Sequence, residues 1–143
     1  MSGLTLEQAR AILDGALASA RSRQAEPLAV VVLDAGGHTV TLAREDGATF
    51  LRARIARAKA YGALGMGADT QALAERAKGN PVFFAGLVTT VAGALVYSPG
   101  GVLIRQDGRV IGAVGISGDT GPVDAACAAA GIAAAGLSIT KGE

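Results

Sequence analysis

Aromatic residues are scarce in this sequence, which has no Trp, two Tyr and three Phe among 143 residues. Half of the residues are nevertheless hydrophobic, so the core has to be built from Val, Leu, Ile and many Ala. Such small side chains imply closely packed helices and strands. A chain of this length can bury a core of its own, and no linker or repeat divides it. We therefore expect one domain over residues 1–143.

An excess of charge of one sign is also missing. Thirteen Lys and Arg face twelve Asp and Glu, for a net charge of +1, which makes no electrostatic case for a nucleic-acid or anionic-membrane partner. No hydrophobic run reaches the roughly 18 to 20 residues of a membrane span. The polar start "SGLTLEQAR" does not resemble a secretory signal. We expect a soluble, cytoplasmic protein that binds neither nucleic acid nor membrane.

Cysteine and histidine each occur once, as Cys127 and His38. One cysteine cannot form an internal disulfide, and one histidine excludes a multi-histidine metal site. A P-loop, a dinucleotide fingerprint, a paired-cysteine zinc motif and a G-x-S-x-G elbow are all missing, and we predict no metal site. His38 follows two glycines, so it is either a ligand or base near neutral pH or a turn residue bonded to backbone.

Helical patterns occur in four places. Apolar residues recur at spacings of three and four from Leu6 to Ala20, and Thr5 with Gln8 has the form of a capping box. Further helices are predicted from Thr49 to about Gly65, from Asp69 or Thr70 to about Lys78, and from Pro122 onward. The apolar residues 82–93 fit either a helix or a strand, and periodicity does not decide between them.

Strand patterns alternate with these helices. The apolar run at 28–33 predicts a buried strand, and residues 38–44 alternate as in a half-buried one. Asp107-Gly108 predicts a tight hairpin turn between strands at 102–106 and 109–117, and residues 95–97 are a candidate for a further short strand. Because hairpins favour an antiparallel sheet, the sequence predicts an α+β fold rather than a doubly wound sheet.

The stretch "SPGGVLIRQDGRVIGAVGISG" at 98–118 contains strands interrupted by glycine. Glycine within a strand indicates that a ligand or another backbone approaches closely. One interpretation is that backbone N–H groups at Gly100-Gly101 and Ser117-Gly118 hold a carboxylate. The other is that the glycines let a helix lie close to the sheet. Both are kept as partial explanations.

Four ordered blocks resemble the GlcG/HbpS-like family, the haem-degrading domain family that includes the carboxy-terminal domain of PduO proteins. The blocks are "AVVVLDAGGHTVTLAREDGA", "RAKAYGAL", "GGVLIRQDGRVIGAVGISG" and "DAACAAAG". The resemblance implies a profilin-like fold with a five-stranded antiparallel sheet flanked by helices. It also implies a homo-oligomer, commonly an octamer, and in some members haem or iron binding or a place in a catabolic operon.

The family's recurrent polar positions correspond here to Asp34, His38, Arg44, Asp46, Lys59, Gly100, Gly101 and Asp124. Two positions depart from the family pattern, Glu45 in place of methionine and Leu103 in place of proline. Some haem-binding relatives use a histidine of the first helix, and this chain has none there. Candidate iron ligands are then His38, Tyr61, Tyr97, Met66 or an oxygen ligand.

Three functional hypotheses follow. The first is a small-ligand-binding protein with haem, another tetrapyrrole or iron as ligand. The second is a cofactor-independent lyase, isomerase or hydrolase for a small organic acid, in which a carboxylate moves protons. The third is a ligand-free assembly whose glycines serve packing alone. The predicted catalytic residues are Glu45, Lys59 and Asp124. The predicted ligand-binding residues are His38, Arg44, Lys59, Tyr61, Gly100, Gly101, Ser117 and Gly118.

Overall fold

The computed structural model of this chain describes residues 3–92 and 94–141. Within them the helices are α1 Leu6–Ser22, α2 Leu51–Met66, α3 Thr70–Gly79, α4 Pro81–Thr90 and α5 Gly121–Ala134. The strands are β1 Ala29–Asp34, β2 Thr39–Arg44, β3 Gly101–Gln106 and β4 Arg109–Ser117. Of the segment 82–93, ambiguous in sequence, residues 82–90 belong to the helix α4, and residue 93 lies outside the described residues. None of the helices in this part of the chain is both long and apolar enough to cross a membrane.

The strands form one antiparallel sheet in the order β2-β1-β4-β3. The predicted turn between β3 and β4 is confirmed, since Asp107 and Gly108 both have positive φ, 54° and 77°, as a type I′ turn requires. The capping box of α1 is also present, with Thr5 and Gln8 bonded reciprocally at 3.0 Å. The α+β fold is thus confirmed.

Helices cover the sheet on both faces. On one face, α2 packs its alanines on side chains from three strands, including Val31, Leu33 and Leu103. On the other, α1 and α5 pack on Val30, Val32, Val114 and neighbouring side chains. The central strand β1 is buried on both faces because it lies between these two layers. Cys127 of α5 is buried in the second layer.

The helix α2 approaches the sheet closely at Gly101 and Gly115. A Cβ on Gly115 would overlap the carbonyl of Ala56, and one on Gly101 would overlap the carbonyl of Lys59. Only glycine permits this approach of helix backbone to strand backbone. Helix packing therefore accounts for these two glycines of the 98–118 stretch.

Four strands are found in the described residues, where five were expected. The segment 95–97, predicted as a short strand, has no strand pairing. Its side chains pack instead, Leu95 on Gly62 of α2 and Tyr97 edge-on against Phe84 of α4, with ring centroids 4.9 Å apart.

The outer edge of β3, where a further strand would pair, is bonded by other elements. The Asp69 carboxylate accepts the N–H of Leu103 at 2.9 Å, and the Thr70 hydroxyl accepts that of Gly101 at 2.8 Å. Further along, Arg105 pairs with Ser138 through two backbone hydrogen bonds. These contacts occupy edge donors of β3, and a fifth strand is not confirmed in the described residues.

Candidate functional site

Lys59 and Asp124 form a buried ion pair. The Lys59 Nζ lies 3.2 Å from Asp124 Oδ2 and donates a second hydrogen bond to the carbonyl of Ile116 at 2.8 Å. The other carboxylate oxygen of Asp124 accepts the N–H of Asp119 at 3.0 Å. The two residues are only 3% and 1% exposed. The pair joins α2 to the start of α5 past the end of β4.

Burial shifts both members of this pair toward their neutral forms. Desolvation lowers the pKa of Lys59, against the attraction of the Asp124 carboxylate. Desolvation likewise raises the pKa of Asp124, against the attraction of the Lys59 ammonium. Each charge is therefore tolerated at this position because the other is present.

The predicted backbone site adjoins this pair, and several of its groups have partners in the chain. The Gly101 N–H, which we expected a ligand to use, donates to Thr70, and the Gly100 carbonyl accepts the N–H of Ile116 at 2.9 Å. The Ser117 hydroxyl accepts a hydrogen bond from Arg52 at 3.1 Å. Gly118 lies against the backbone of Pro27.

Glu45 belongs to a different cluster from Lys59. Its carboxylate accepts the N–H of Leu28 at 2.8 Å and pairs with Arg21 at 3.1 Å. The neighbouring Arg44 donates to the carbonyl of Ala48. These bonds close the loop that follows β2, so the structure does not bring together the three predicted catalytic residues.

His38 stands in the turn between β1 and β2. Its Nδ1 is 3.3 Å from Asp34 Oδ1, which also accepts the N–H groups of Gly36 and His38, and the His38 side chain is 81% exposed. Partial desolvation would raise the pKa of Asp34, but the two backbone hydrogen bonds and the His38 ring outweigh it and lower that pKa. The imidazole is held through Nδ1, which leaves Nε2 accessible.

Tyr61 lines a cavity of about 310 Å³, here called the Tyr61 cavity. One wall is the turn at 35–37, and a Cβ on Gly36 would come within 2.9 Å of the His38 ring, so His38 lies beside this wall. The other walls come from α2, α4 and the residue Leu95. The apolar lining side chains are Leu64, Met66, Leu87, Val91 and Leu95.

Two arginines of α2 were missed as site residues. Arg52 donates to Ser117, and Arg57 lies over the Tyr61 ring, 5.2 Å from its centroid, and donates to the Gly37 carbonyl at 3.1 Å. The spacing of four between Arg57 and Tyr61 would have indicated their contact on one helix face. Tyr97 was considered as a ligand, and its buried hydroxyl has no hydrogen-bond partner among the described residues.

The donor set at the Tyr61 cavity fits a haem. A phenol and a thioether, from Tyr61 and Met66, line apolar walls, His38 stands beside them, and all three side-chain types ligate haem iron in proteins. A cation, Arg57, is adjacent. No group of three or more His, Cys, Asp or Glu side chains suited to a bare metal ion occurs in residues 3–92 and 94–141.

Fold and site together define a small α+β domain in which a four-stranded antiparallel sheet lies between helical layers. The model of the HbpS-like family, described as haem-degrading proteins, matches residues 4–133. The chain belongs to this family.

Solved structures agree with this assignment. PduOC in complex with haem is 27% identical, with a TM-score of 0.87 over 96% of this chain and 99% of that chain. HbpS is 28% identical, with a TM-score of 0.80 and coverage of 93% and 90%. The Klebsiella pneumoniae protein ORFY is 25% identical, with a TM-score of 0.85 and the same coverage. No curated protein matched the sequence.

Proposed function

We propose that this protein binds haem or a closely related tetrapyrrole in the Tyr61 cavity. The observation that carries the proposal is the apolar cavity of about 310 Å³ with Tyr61 and Met66 in its lining. Pockets of this size, mostly apolar with a few polar groups, are typical of small-molecule sites. The likeness to a PduOC–haem complex over nearly the whole chain supports the same ligand class.

The side chains at the Tyr61 cavity would have different roles in binding haem. The side chains of Leu64, Leu87 and Val91 would exclude water from the ligand's faces. Tyr61, Met66 or His38 would supply a ligand atom to the iron, and a bound haem would contribute the ligand-exchange and electron-transfer chemistry of that iron. Asp34, bonded to Nδ1 of His38, would hold the imidazole with Nε2 free to coordinate.

The enzyme alternative has less support. Lys59 and Asp124 are almost fully buried and direct their polar atoms at each other and at backbone groups. A general acid or base has to reach the proton that it transfers, and such burial separates this pair from a solute. Glu45, the third predicted catalytic residue, is bonded to Arg21 and Leu28.

Titration with haemin, followed by absorbance in the Soret region, tests the proposal. We expect a shifted, saturable Soret band at one haemin per chain. Tyr61→Phe, Met66→Leu and His38→Ala each remove one candidate ligand atom, and we expect one of them to change the band position. A wild-type protein that leaves the spectrum of free haemin unchanged would contradict the proposal.

We further propose that copies of this chain associate with one another. Several large hydrophobic side chains are exposed in the single chain, among them Phe50 at 81% and Val82 at 85%. Exposed apolar groups of this size are often covered by a partner subunit. The family resemblance favours a symmetric homo-oligomer such as an octamer.

A further inference from the structure

A second cavity adjoins the Tyr61 cavity. It has a volume of about 370 Å³ and is lined by Arg54, Arg57, Ala58, Ala92 and Ala94; we call it the Arg54 cavity. Residues adjacent in the chain line different cavities. Val91 and Leu95 line the Tyr61 cavity, whereas their neighbours Ala92 and Ala94 line the Arg54 cavity. The two cavities therefore lie side by side between α2 and the residues 91–92 and 94–95.

Arg57 lies at the boundary between the Tyr61 cavity and the Arg54 cavity. Arg57 is a lining residue of the Arg54 cavity, while its guanidinium lies over the ring of Tyr61 at 5.2 Å and donates one hydrogen bond to the carbonyl of Gly37. A guanidinium has five N–H donors, so most of those on Arg57 are not used by this bond. The ring and the carbonyl fix the position of the charge, which makes Arg57 a preorganised cation at the mouth of an apolar cavity.

Arg54 adds a second cation, one turn earlier on α2. It makes no hydrogen bond or ion pair with any residue of 3–92 and 94–141. The side chains that line the two cavities, within the described residues, include no Asp or Glu. The pair of cavities is thus apolar at one end and positively charged at the other, without a compensating carboxylate from the chain.

We propose that Arg54 and Arg57 bind carboxylates at the edge of a flat, apolar ligand whose body lies in the Tyr61 cavity. This proposal rests on the proposed function, and it limits the expected ligands to tetrapyrroles that carry free carboxylates on one edge. Arginine suits this task because its planar fork pairs with a carboxylate through two parallel hydrogen bonds. Arg54 and Arg57 are in this sense specificity-determining residues.

The test compares haemin with haemin dimethyl ester, which has the same ring and iron but no free carboxylates. We expect the wild-type protein to bind the ester about threefold to tenfold more weakly than haemin, since partly exposed charge pairs contribute modestly. Arg54→Ala should weaken haemin binding by a similar factor and leave ester binding unchanged. Raising the salt concentration should reduce haemin affinity in the wild type more than in Arg54→Ala.

Arg54→Ala is the primary variant because Arg54 makes no hydrogen bond or ion pair with the described residues, whereas Arg57→Ala also removes the bond to Gly37. Arg10→Ala is the matched control, since it makes the same charge change on an exposed position of α1, on the opposite face of the sheet. Equal affinity for haemin and its ester, or an equal loss in Arg10→Ala, would overturn the proposal while haem binding stands. Absence of haemin binding would overturn both.

Discussion

Lys59 of α2 and Asp124 of α5 meet 3.2 Å apart across the end of the sheet, although the two helices pack on opposite faces. The lysine stem passes beside Gly100, where a Cβ would lie 2.8 Å from Nζ. A side chain at position 100 would displace the ammonium from its partner. The ion pair and this glycine therefore form one structural unit that joins the two helical layers.

Removal of one member of this pair should be strongly destabilising. Lys59→Met keeps most of the stem but leaves the Asp124 carboxylate buried without its cation, and loss of one partner of a buried pair costs about 3 to 5 kcal/mol. We expect the free energy of unfolding, measured by urea denaturation, to fall by about that amount.

The double variant Lys59→Met/Asp124→Leu distinguishes the destabilisation caused by an unpaired buried charge from the net contribution of the ion pair to the free energy of unfolding. Apolar replacement of a whole buried pair is often neutral, so we expect the double variant to recover much of the stability lost in Lys59→Met. If Lys59→Met were as stable as the wild type, the pair would have no role in holding the helices.

Gly115→Ala tests the close approach of α2. Its Cβ would overlap the carbonyl of Ala56, which is backbone and cannot rotate away, so α2 has to move. Overpacking of this kind costs about 1 to 3 kcal/mol, and we expect a loss near the upper end in urea denaturation.

Gly86→Ala is the matched control for this variant. Gly86 lies within α4, and a Cβ there would meet nothing within 4 Å. Alanine should stabilise this helix by about 0.5 to 1 kcal/mol, because glycine is a poor helix former. Similar stability changes in the two variants would contradict the role assigned to Gly115.

Local sequence signals predicted most of the fold because each involves residues close in the chain. Thr5 and Gln8 are three residues apart, and Asp107-Gly108 adopts its positive φ angles as a dipeptide. The fifth strand, which is not confirmed in the described residues, could not be judged from local signals because the bonding of the β3 edge depends on distant groups. The side chains of Asp69 and Thr70 accept hydrogen bonds from N–H groups on the edge of β3 that lie more than thirty residues later in the chain. A local sequence pattern cannot predict such a contact.

Only some of the contacts among the predicted site residues could be anticipated, because the others also depend on residues far apart in the chain. Lys59 and Asp124 were placed together through a resemblance, and they do meet. The grouping of Glu45 with them relied on chemical type, whereas the β2 end directs Glu45 to Arg21 and Leu28. The Tyr61 cavity has walls from four separate segments, so its shape could not be derived from spacing along the chain.

Asp119 should make stability depend on pH. Its carboxylate accepts the N–H groups of Glu26 at 2.8 Å and Thr120 at 2.7 Å, and these bonds lower its pKa. A carboxylate with a lowered folded-state pKa stabilises the fold fully above the unfolded value of about 3.9, and this contribution disappears as the pH falls through the folded value. We expect Asp119→Asn to lower the melting temperature at pH 7 and to lower it less at pH 3, which lies below the unfolded value.

Asp14→Asn removes the same charge from an exposed position of α1 and serves as the control. It should not reproduce the loss at pH 7, because the expected effect comes from the two hydrogen bonds rather than from net charge. A melting-temperature difference between wild type and Asp119→Asn that is equal at pH 7 and pH 3 would contradict the assignment.

Self-association should depend on the exposed apolar side chains. Phe50 is 81% exposed at the start of α2 and Val82 is 85% exposed in α4. A charge placed in a buried apolar interface is costly, so Phe50→Glu or Val82→Glu should reduce the mass measured by light scattering at micromolar concentration.

Arg10→Glu is the control, because Arg10 is an exposed position of α1, and this variant should leave the mass unchanged. A wild-type protein that scatters as a monomer at these concentrations would contradict the proposed assembly.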